Sequence, residues 1–275
     1  RTFWDFRRDD VKEHLYKKVI EFIKKNGFGY IKVDYNGNIG MFVDGEESGA
    51  EGLRHHLDEV RNFFIQIKKE IPDLVIENCA SGGNRLEPSI MKIADIASFS
   101  DAHEAVEIPI IAANLHNLIR PSKELVWAVI HSDDSVDRMI YSLAATFLGR
   151  VCLSGDIDAL DSTQLDILKN AFAFYQKLDV IIKHGKSDIF RSNGRSMRNP
   201  EGVQIVKRYT ENEVLIVYHG FDNTCGEFNV EIPNDFIIAD GFYNNCAELK
   251  NGEIIIKNVE PFTAGAVYLK KKKIN

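Results

Sequence analysis

The segment Lys32-Val33-Asp34-Tyr35-Asn36 places a cation, a carboxylate and an amide at alternating positions. If the segment is a β-strand, Lys32, Asp34 and Asn36 point to one side of it. A nearby lysine favours the ionised form of the carboxylate, and the amide offers hydrogen bonds to a polar ligand. The pattern fits a catalytic or binding site, and it also fits a structural ion pair followed by a turn-forming Asn.

A second carboxylate, Asp101, lies in the polar segment Ser100-Asp101-Ala102-His103-Glu104. Ser and Asp at this place are also typical of a helix cap. His103 and Glu104 are further catalytic candidates, or simply solvated neighbours. If Asp34 and Asp101 face one pocket, they form the carboxyl pair of a glycosidase. A separation of about 5–5.5 Å suits retention of configuration, and roughly 6.5–9.5 Å suits inversion.

The loop Glu77-Asn78-Cys79-Ala80-Ser81-Gly82-Gly83-Asn84-Arg85 follows a predicted strand. Adjacent glycines let backbone N–H groups approach a ligand closely, although they also occur in ordinary loops. A second polar cluster, Ser132 to Ser135, is interpreted as the N-cap of the next helix.

Strand and helix patterns alternate up to His184. A helix is predicted after a capping box formed by Asp10 and Glu13, and a buried strand over residues 30–34. A long helix with one apolar stripe ends at Pro72, and Asp161 caps the last long helix. This alternation predicts parallel strands joined by helical crossovers.

Polar residues gather where the predicted strands end, which is where the catalytic side chains of a (β/α)8 barrel lie. The sequence contains no GxGxxG turn, so a barrel is favoured over an open nucleotide-binding sheet. About five strand–helix units are visible, whereas a closed barrel needs eight strands. Upstream residues or a partner chain supply the others, or the sheet is open.

After His184 the pattern changes to short strands separated by turn signals such as Asn251-Gly252. About six to eight antiparallel strands are expected, which suits a small β-sandwich. The predicted organisation is an α/β barrel-type catalytic domain over residues 1–184 and a β-sandwich domain over residues 185–275.

The composition excludes several classes of protein. The 275 residues are 44% hydrophobic, and the net charge of -7 argues against nucleic-acid binding. No apolar run approaches the roughly 20 residues of a membrane span. Four scattered cysteines argue against a zinc knuckle or a disulfide framework and favour a reducing compartment, so a cytoplasmic location is predicted.

Several ordered motifs resemble those of glycoside hydrolase family 36, the α-galactosidases and their relatives. The matching segments are Trp4-Asp5-Phe6-Arg7, Lys32 to Asn36, Glu77 to Arg85, Phe99-Ser100-Asp101 and Gly149 to Asp156. The resemblance implies the later part of a (β/α)8 barrel, from the fourth strand onward, followed by a C-terminal β-domain.

The same resemblance implies roles for particular residues. Asp34 would be the nucleophile and Asp101 the general acid/base. Lys32, Asn36 and Cys79 would contact sugar hydroxyls, and Gly82 and Gly83 would line the pocket. Two departures leave the identity of the sugar open: Ala102 and Glu104 replace aspartates of the common acid/base segment, and residues 108–114 differ from the commonest members.

The leading hypothesis is a retaining exo-α-glycosidase, an α-galactosidase acting on oligosaccharides or glycoconjugates by double displacement. It needs no metal or organic cofactor, and it leaves a homo-oligomer open. The alternatives are an α-galactosyl transglycosidase resembling raffinose or stachyose synthase, an α-N-acetylgalactosaminidase, and a non-catalytic carbohydrate-binding chain.

Overall fold

The computed structural model describes residues 3–102, 106–191, 198–224 and 226–272. The chain divides into two compact units, Arg1–Ser100 and Asp101–Asn275, called here the first and second units. The domain boundary predicted between residues 184 and 185 stays a prediction.

The first unit alternates helices with parallel strands. Its elements are α1 (Asp9–Leu15), a π-helical stretch (Tyr16–Glu21), α2 (Phe22–Asn26), β1 (Tyr30–Asp34), α3 (Gly49–Glu70), β2 (Val75–Cys79), α4 (Pro88–Met91) and β3 (Ile96–Ser98). β1 pairs in parallel with β2, and β2 pairs in parallel with β3. Helices therefore connect successive parallel strands, as predicted.

The ends of these helices follow local chemistry. The hydroxyl of Ser48 caps α3 by accepting a hydrogen bond from the Glu51 N–H at 3.1 Å, and the helix ends just before Pro72. The predicted capping box at Asp10 is wrong. Arg8 occupies the N-cap position of α1, and Asp10 lies in the first turn, where it pairs with Arg8. A carboxylate there is still favourable because it faces the positive end of the helix dipole.

The strand predicted over residues 30–34 is present, but the prediction that it is buried is wrong. Exposed residues alternate with half-buried ones along β1, and Tyr30 is 46% exposed. Within the described part of the first unit, β1 pairs with β2 alone, so it is an edge strand. Its apolar residues Ile31 and Val33 face one side, while Lys32 and Asp34 face the exposed side.

The second unit begins with another α/β segment. Its elements are α5 (Ile108–Leu115), a 3₁₀ turn (Pro121–Lys123), β4 (Glu124–Ile130), α6 (Val136–Thr146), β5 (Arg150–Gly155), a 3₁₀ turn (Ile157–Ala159), α7 (Ser162–Tyr175), a 3₁₀ turn (Gln176–Leu178) and α8 (Asp179–His184). β4 and β5 pair in parallel. The predicted caps are confirmed: Ser135 caps α6, and Asp161 forms a capping box with Gln164 at the start of α7.

The rest of the second unit is antiparallel. Its strands are β6 (Lys186–Arg191), β7 (Val203–Tyr209), β8 (Glu213–Gly220), β9 (Glu227–Glu231), β10 (Phe236–Phe242), β11 (Ala247–Lys250), β12 (Glu253–Lys257) and β13 (Ala264–Lys271). One sheet has the order β10-β13-β8-β7-β6 and the other β11-β12-β9. Residues of both sheets, such as Ile216 and Ile256, share one hydrophobic core.

The fold class is therefore α/β with additional antiparallel sheets, and the eight-stranded barrel stays a prediction. Among the described residues, no helix has the length and apolar character needed to cross a membrane.

Candidate active site

Asp34 ends β1 and Cys79 ends β2, and the parallel register places these two residues opposite each other. Asp34 is exposed, whereas Cys79 is buried with 2% of its surface accessible. The Asn36 Nδ2 atom donates a hydrogen bond to the Asp34 Oδ2 atom at 3.0 Å. The carboxyl ends of two neighbouring strands thus bring together three of the predicted site residues.

Asn36 also connects the end of β1 to the loop that follows β2. Its Oδ1 atom accepts hydrogen bonds from the Ser81 N–H at 2.7 Å and from the Ser81 hydroxyl at 3.1 Å. The amide therefore orients the Asp34 carboxylate and holds the loop at the same time.

The pKa of the Asp34 carboxyl reflects opposing effects. Burial raises it, but hydrogen bonds from Asn36, the Cys79 thiol and the Ser81 backbone lower it, with a further contribution from the charge of Lys32. The net result is a pKa below the ordinary value of 3.8. Asp34 is therefore ionised at neutral pH, as a nucleophilic or electrostatic carboxylate must be.

Lys32 has a closer acidic partner than Asp34. Its Nζ atom lies 3.3 Å from the Oε1 atom of Glu77, a buried residue directly opposite Lys32 in the β1–β2 register. The Tyr30 and Ser98 hydroxyls also donate hydrogen bonds to this carboxylate. Burial is the largest single influence on the pKa of Lys32 and lowers it. The charge and hydrogen bond of Glu77, together with smaller contributions from Cys79 and Asp34, outweigh burial, so the pKa is raised. Lys32 thus stays cationic beside Asp34.

Glu77 is a residue whose role the sequence reasoning missed. It was noted only as the beginning of a loop motif, yet it anchors the cation of the site. A charged residue within an apolar strand pattern is the signal that could have identified it, because buried carboxylates need partners.

Arg85 connects the carboxyl ends of β1 and β2 through hydrogen bonds. Its Nε atom donates to Asn78 Oδ1 at 2.7 Å, and its Nη2 atom donates to the carbonyl oxygens of Cys79 at 3.2 Å and Val33 at 3.4 Å. The guanidinium also lies over the ring of Tyr35, 5.5 Å from its centroid. These contacts give Arg85 a positioning role.

The two predicted loop glycines satisfy different geometric requirements. Gly82 has a φ of 72°, which a residue with a side chain adopts less readily. A Cβ atom on Gly83 would lie 2.2 Å from the carbonyl oxygen of Phe99, so this position excludes every side chain. Both glycines shape the loop that Asn36 holds.

Asp101 is exposed and is the first residue of the second unit, whereas Asp34 belongs to the first. The expectation that the two carboxylates face one pocket stays a prediction. His103 and Glu104, the other candidates in this segment, lie outside the described residues.

A histidine–carboxylate pair lies in the second unit after β4 and β5. His131 Nδ1 is 2.9 Å from Asp156 Oδ2, and both side chains are exposed. The hydrogen bond with Asp156 raises the pKa of His131 above its ordinary value. Asp156 belongs to one of the sequence motifs, whereas no sequence pattern identified His131.

The described residues contain no group of three or more His, Cys, Asp or Glu side chains arranged to hold a metal ion. The local chemistry of the first unit is that of an ionised carboxylate with a neighbouring cation and fixed hydrogen-bond donors. Such a group can bind a polyol or attack an electrophilic carbon.

A family model described as Melibiase matches residues 1–185 of this chain. The chain belongs to the melibiase family. This confirms the resemblance to the glycoside hydrolase family 36 α-galactosidases that the sequence motifs indicated.

Two curated relatives have similar sequences. Alpha-galactosidase AgaA of Geobacillus stearothermophilus is 23% identical over 190 residues, which cover 66% of this chain and 26% of that protein. Alpha-galactosidase 2 of Pediococcus pentosaceus is 21% identical over 180 residues, which cover 63% and 25%. This melibiase-family chain thus spans about a quarter of the length of the curated relatives it matches.

Solved structures of α-galactosidases share the fold. The enzyme from Lactobacillus brevis superposes with a TM-score of 0.81 at 18% identity, covering 98% of this chain and 39% of that one. AgaA with bound 1-deoxygalactonojirimycin gives a TM-score of 0.77 at 16% identity, covering 97% and 39%. A variant of AgaA has also been solved with raffinose.

Proposed function

We propose that the protein is a retaining exo-α-glycosidase of the α-galactosidase type. The observation that carries this proposal is the Asp34 carboxylate, which is ionised, exposed and oriented by Asn36 at the end of a parallel strand. Membership of the melibiase family and the α-galactosidase relatives support the choice of substrate class.

In the first step, an Asp34 oxygen attacks the anomeric carbon of a terminal α-galactoside as the bond to the leaving oxygen breaks. Asp101, acting as the general acid, gives its proton to that oxygen. This forms a β-linked glycosyl-enzyme and releases the leaving group as an alcohol.

In the second step, Asp101 removes a proton from water, and the water oxygen attacks the same carbon. The bond to Asp34 breaks, the sugar leaves with its original α configuration, and both aspartates return to their starting states. Lys32 and Asn36 support this cycle by favouring the ionised form of Asp34, which makes it a competent leaving group.

The test is to replace Asp34 by Ala in the full-length protein and to assay 4-nitrophenyl α-galactoside. We expect a loss of turnover of at least about 10⁴-fold, since the covalent step has lost its nucleophile. Added azide should restore release of nitrophenol and give the β-galactosyl azide, because azide replaces Asp34 on the face it attacked.

Asp101→Ala should instead give the α-galactosyl azide, since azide then attacks the intact glycosyl-enzyme. A matched control is Asp73→Ala, which removes an exposed carboxylate in the turn between α3 and β2 and should leave turnover unchanged. Unchanged turnover of Asp34→Ala would refute the nucleophile assignment.

A further inference from the structure

The second unit contains a cavity of about 270 Å³. It is lined by residues 106–107, 198–201, Asp222 and Phe262. Its volume is just below the roughly 300 Å³ at which pockets for drug-sized ligands begin. It is therefore suited to a single ring rather than to an extended chain.

The first wall of the cavity is held by buried groups. The hydroxyl of Tyr141, on α6, donates a hydrogen bond to the Val106 carbonyl at 3.2 Å. The Nε2 atom of the fully buried Gln204, on β7, donates to the Pro109 carbonyl at 2.9 Å. These bonds fix the segment that leads into α5, so this wall is pre-formed.

The second wall is held by its own backbone. The Gly202 N–H donates to the Asp222 carbonyl at 2.7 Å, and the Asp222 N–H donates to the Pro200 carbonyl at 3.2 Å. The Phe262 N–H donates to the Gly220 carbonyl at 3.0 Å. Backbone hydrogen bonds thus connect three separate turns of the chain.

The side chains that line the cavity combine an aromatic face with planar polar groups. Phe262 is 43% exposed, and Glu107, Glu201 and Asp222 contribute carboxylates, with Arg198 and Asn199 adding donors. A pyranose ring presents an apolar C–H face and a rim of hydroxyl groups, which these two kinds of group match.

Other ligand classes fit less well. Three carboxylates against one guanidinium disfavour an anion such as phosphate. Within the described residues, the acidic side chains are not grouped as metal ligands. A neutral polyol, whose hydroxyl groups can donate hydrogen bonds to these carboxylates, fits the lining better than an anion or a metal ion does.

The position of the cavity along the chain relates it to Asp101. Val106 follows Asp101 by five residues, so their Cα atoms lie within about 18 Å of each other even if the chain between them is fully extended. In the proposed mechanism Asp101 gives its proton to the leaving oxygen, so the leaving group lies on the Asp101 side of the scissile bond.

We propose that the cavity lined by Glu107, Asp222 and Phe262 is a saccharide subsite for the leaving-group side of an oligosaccharide substrate. This inference rests on the proposed function for its place in the reaction, but the binding of a sugar there can be measured without any hydrolysis. The sugar makes its apolar contact with Phe262 and its hydroxyl contacts with the carboxylates.

The experiment is a titration of the full-length protein with sucrose, the leaving group of raffinose, followed by NMR or calorimetry. Sucrose has two rings, of which the pyranose ring is the one expected to enter the cavity. We expect saturable binding by the parent protein and at least fivefold weaker binding by Phe262→Ala. Phe262→Tyr keeps the aromatic face and should bind within twofold of the parent. Both variants keep a Cβ atom, so the backbone strain at the φ of 57° is unchanged.

Phe190→Ala is the matched control, because Phe190 is 44% exposed on β6 and does not line the cavity. Its affinity for sucrose should equal that of the parent. Absence of saturable binding by the parent, or equal binding by Phe262→Ala and the parent, would overturn the subsite.

A kinetic comparison then separates this inference from the proposed function. Phe262→Ala should lower kcat/KM for raffinose at least fivefold and change kcat/KM for 4-nitrophenyl α-galactoside less than twofold. Equal effects on both substrates would overturn the leaving-group assignment. A parent protein that hydrolyses neither substrate would refute the proposed function, while the sucrose titration would still decide whether the cavity binds a sugar.

Discussion

Replacement of Gly83 by Ala tests whether the loop after β2 must keep its present path for the site to work. The Cβ atom of alanine would lie 2.2 Å from the Phe99 carbonyl oxygen and 3.2 Å from the Leu86 Cδ1 atom. The leucine side chain can rotate, but the carbonyl belongs to the backbone and cannot. The φ of Gly83 lies outside the left-handed region, so the expected effect is steric rather than conformational.

The size of the effect follows from that distance. Ordinary contacts of a Cβ atom begin near 3.4 Å, so the loop must move by roughly 1 Å to accept the methyl group. Overpacking of this kind typically costs about 1–3 kcal/mol of stability. The same movement displaces Ser81 from Asn36, and a misplacement of about 1 Å in a catalytic arrangement can cost roughly 100-fold in rate.

The assay combines urea denaturation with steady-state kinetics on 4-nitrophenyl α-galactoside. Gly83→Ala should lower the free energy of unfolding by about 1–3 kcal/mol and kcat/KM by about 100-fold. The control is Gly29→Ala in the same unit, where a Cβ atom would meet nothing within 4 Å. That substitution should leave the free energy of unfolding unchanged or raise it by up to about 1 kcal/mol, because alanine restricts the unfolded chain more than glycine does.

Two results would contradict this reasoning. If Gly83→Ala keeps both its stability and its activity, the loop does not need to stay against Phe99. If stability falls but kcat/KM does not, the loop is structural and Asn36 orients Asp34 without it.

Two further predictions concern the second unit. Arg208→Met removes a buried guanidinium that donates to three backbone carbonyls, in the last turn of α8 and just after it, and to the Ser187 hydroxyl. This substitution should lower the free energy of unfolding by about 3 kcal/mol, since each buried acceptor left without a donor costs roughly 1–3 kcal/mol. The exposed Arg150→Met should change it by less than about 0.5 kcal/mol, and equal effects would contradict the argument. NMR titration should give His131 a pKa above 6.5, and Asp156→Asn should lower that pKa. Because the pKa of His131 is higher in the folded than in the unfolded protein, any stabilisation by this pair is present below pH 6.5 and is lost as the pH rises through the folded pKa.

Local signals in the sequence predicted local features well. Asp161 with Gln164 forms the capping box expected at the start of α7, and Pro72 follows the end of α3. Both depend on residues within one turn of each other, which is the range over which side-chain capping acts. The misplaced capping box at Asp10 shows the limit of this reasoning, because Arg8 pairs with Asp10 and the helix begins two residues earlier than that box requires.

Burial was harder to predict than the position of a strand. The apolar content of residues 30–34 correctly predicted β1, but burial depends on what covers the strand. The two sides of β1 differ, with Ile31 and Val33 half-buried and Tyr30 exposed. A five-residue pattern contains no information about neighbours more than 40 residues away, such as Glu77, which accepts the hydrogen bond from the Tyr30 hydroxyl.

The candidate site shows how strand register changes a chemical interpretation. Alternation correctly placed Lys32 and Asp34 on one side of β1, which led to the expectation that the lysine keeps the aspartate ionised. The parallel register instead sets Lys32 opposite Glu77 and Asp34 opposite Cys79. Among the influences that lower the Asp34 pKa, the hydrogen bond from Asn36 is the largest, and the charge of Lys32 contributes less than the hydrogen bonds from Cys79 and Ser81 do. It follows that the acidity of the proposed nucleophile depends on Asn36, and through it on the loop at Ser81, more than on the neighbouring cation.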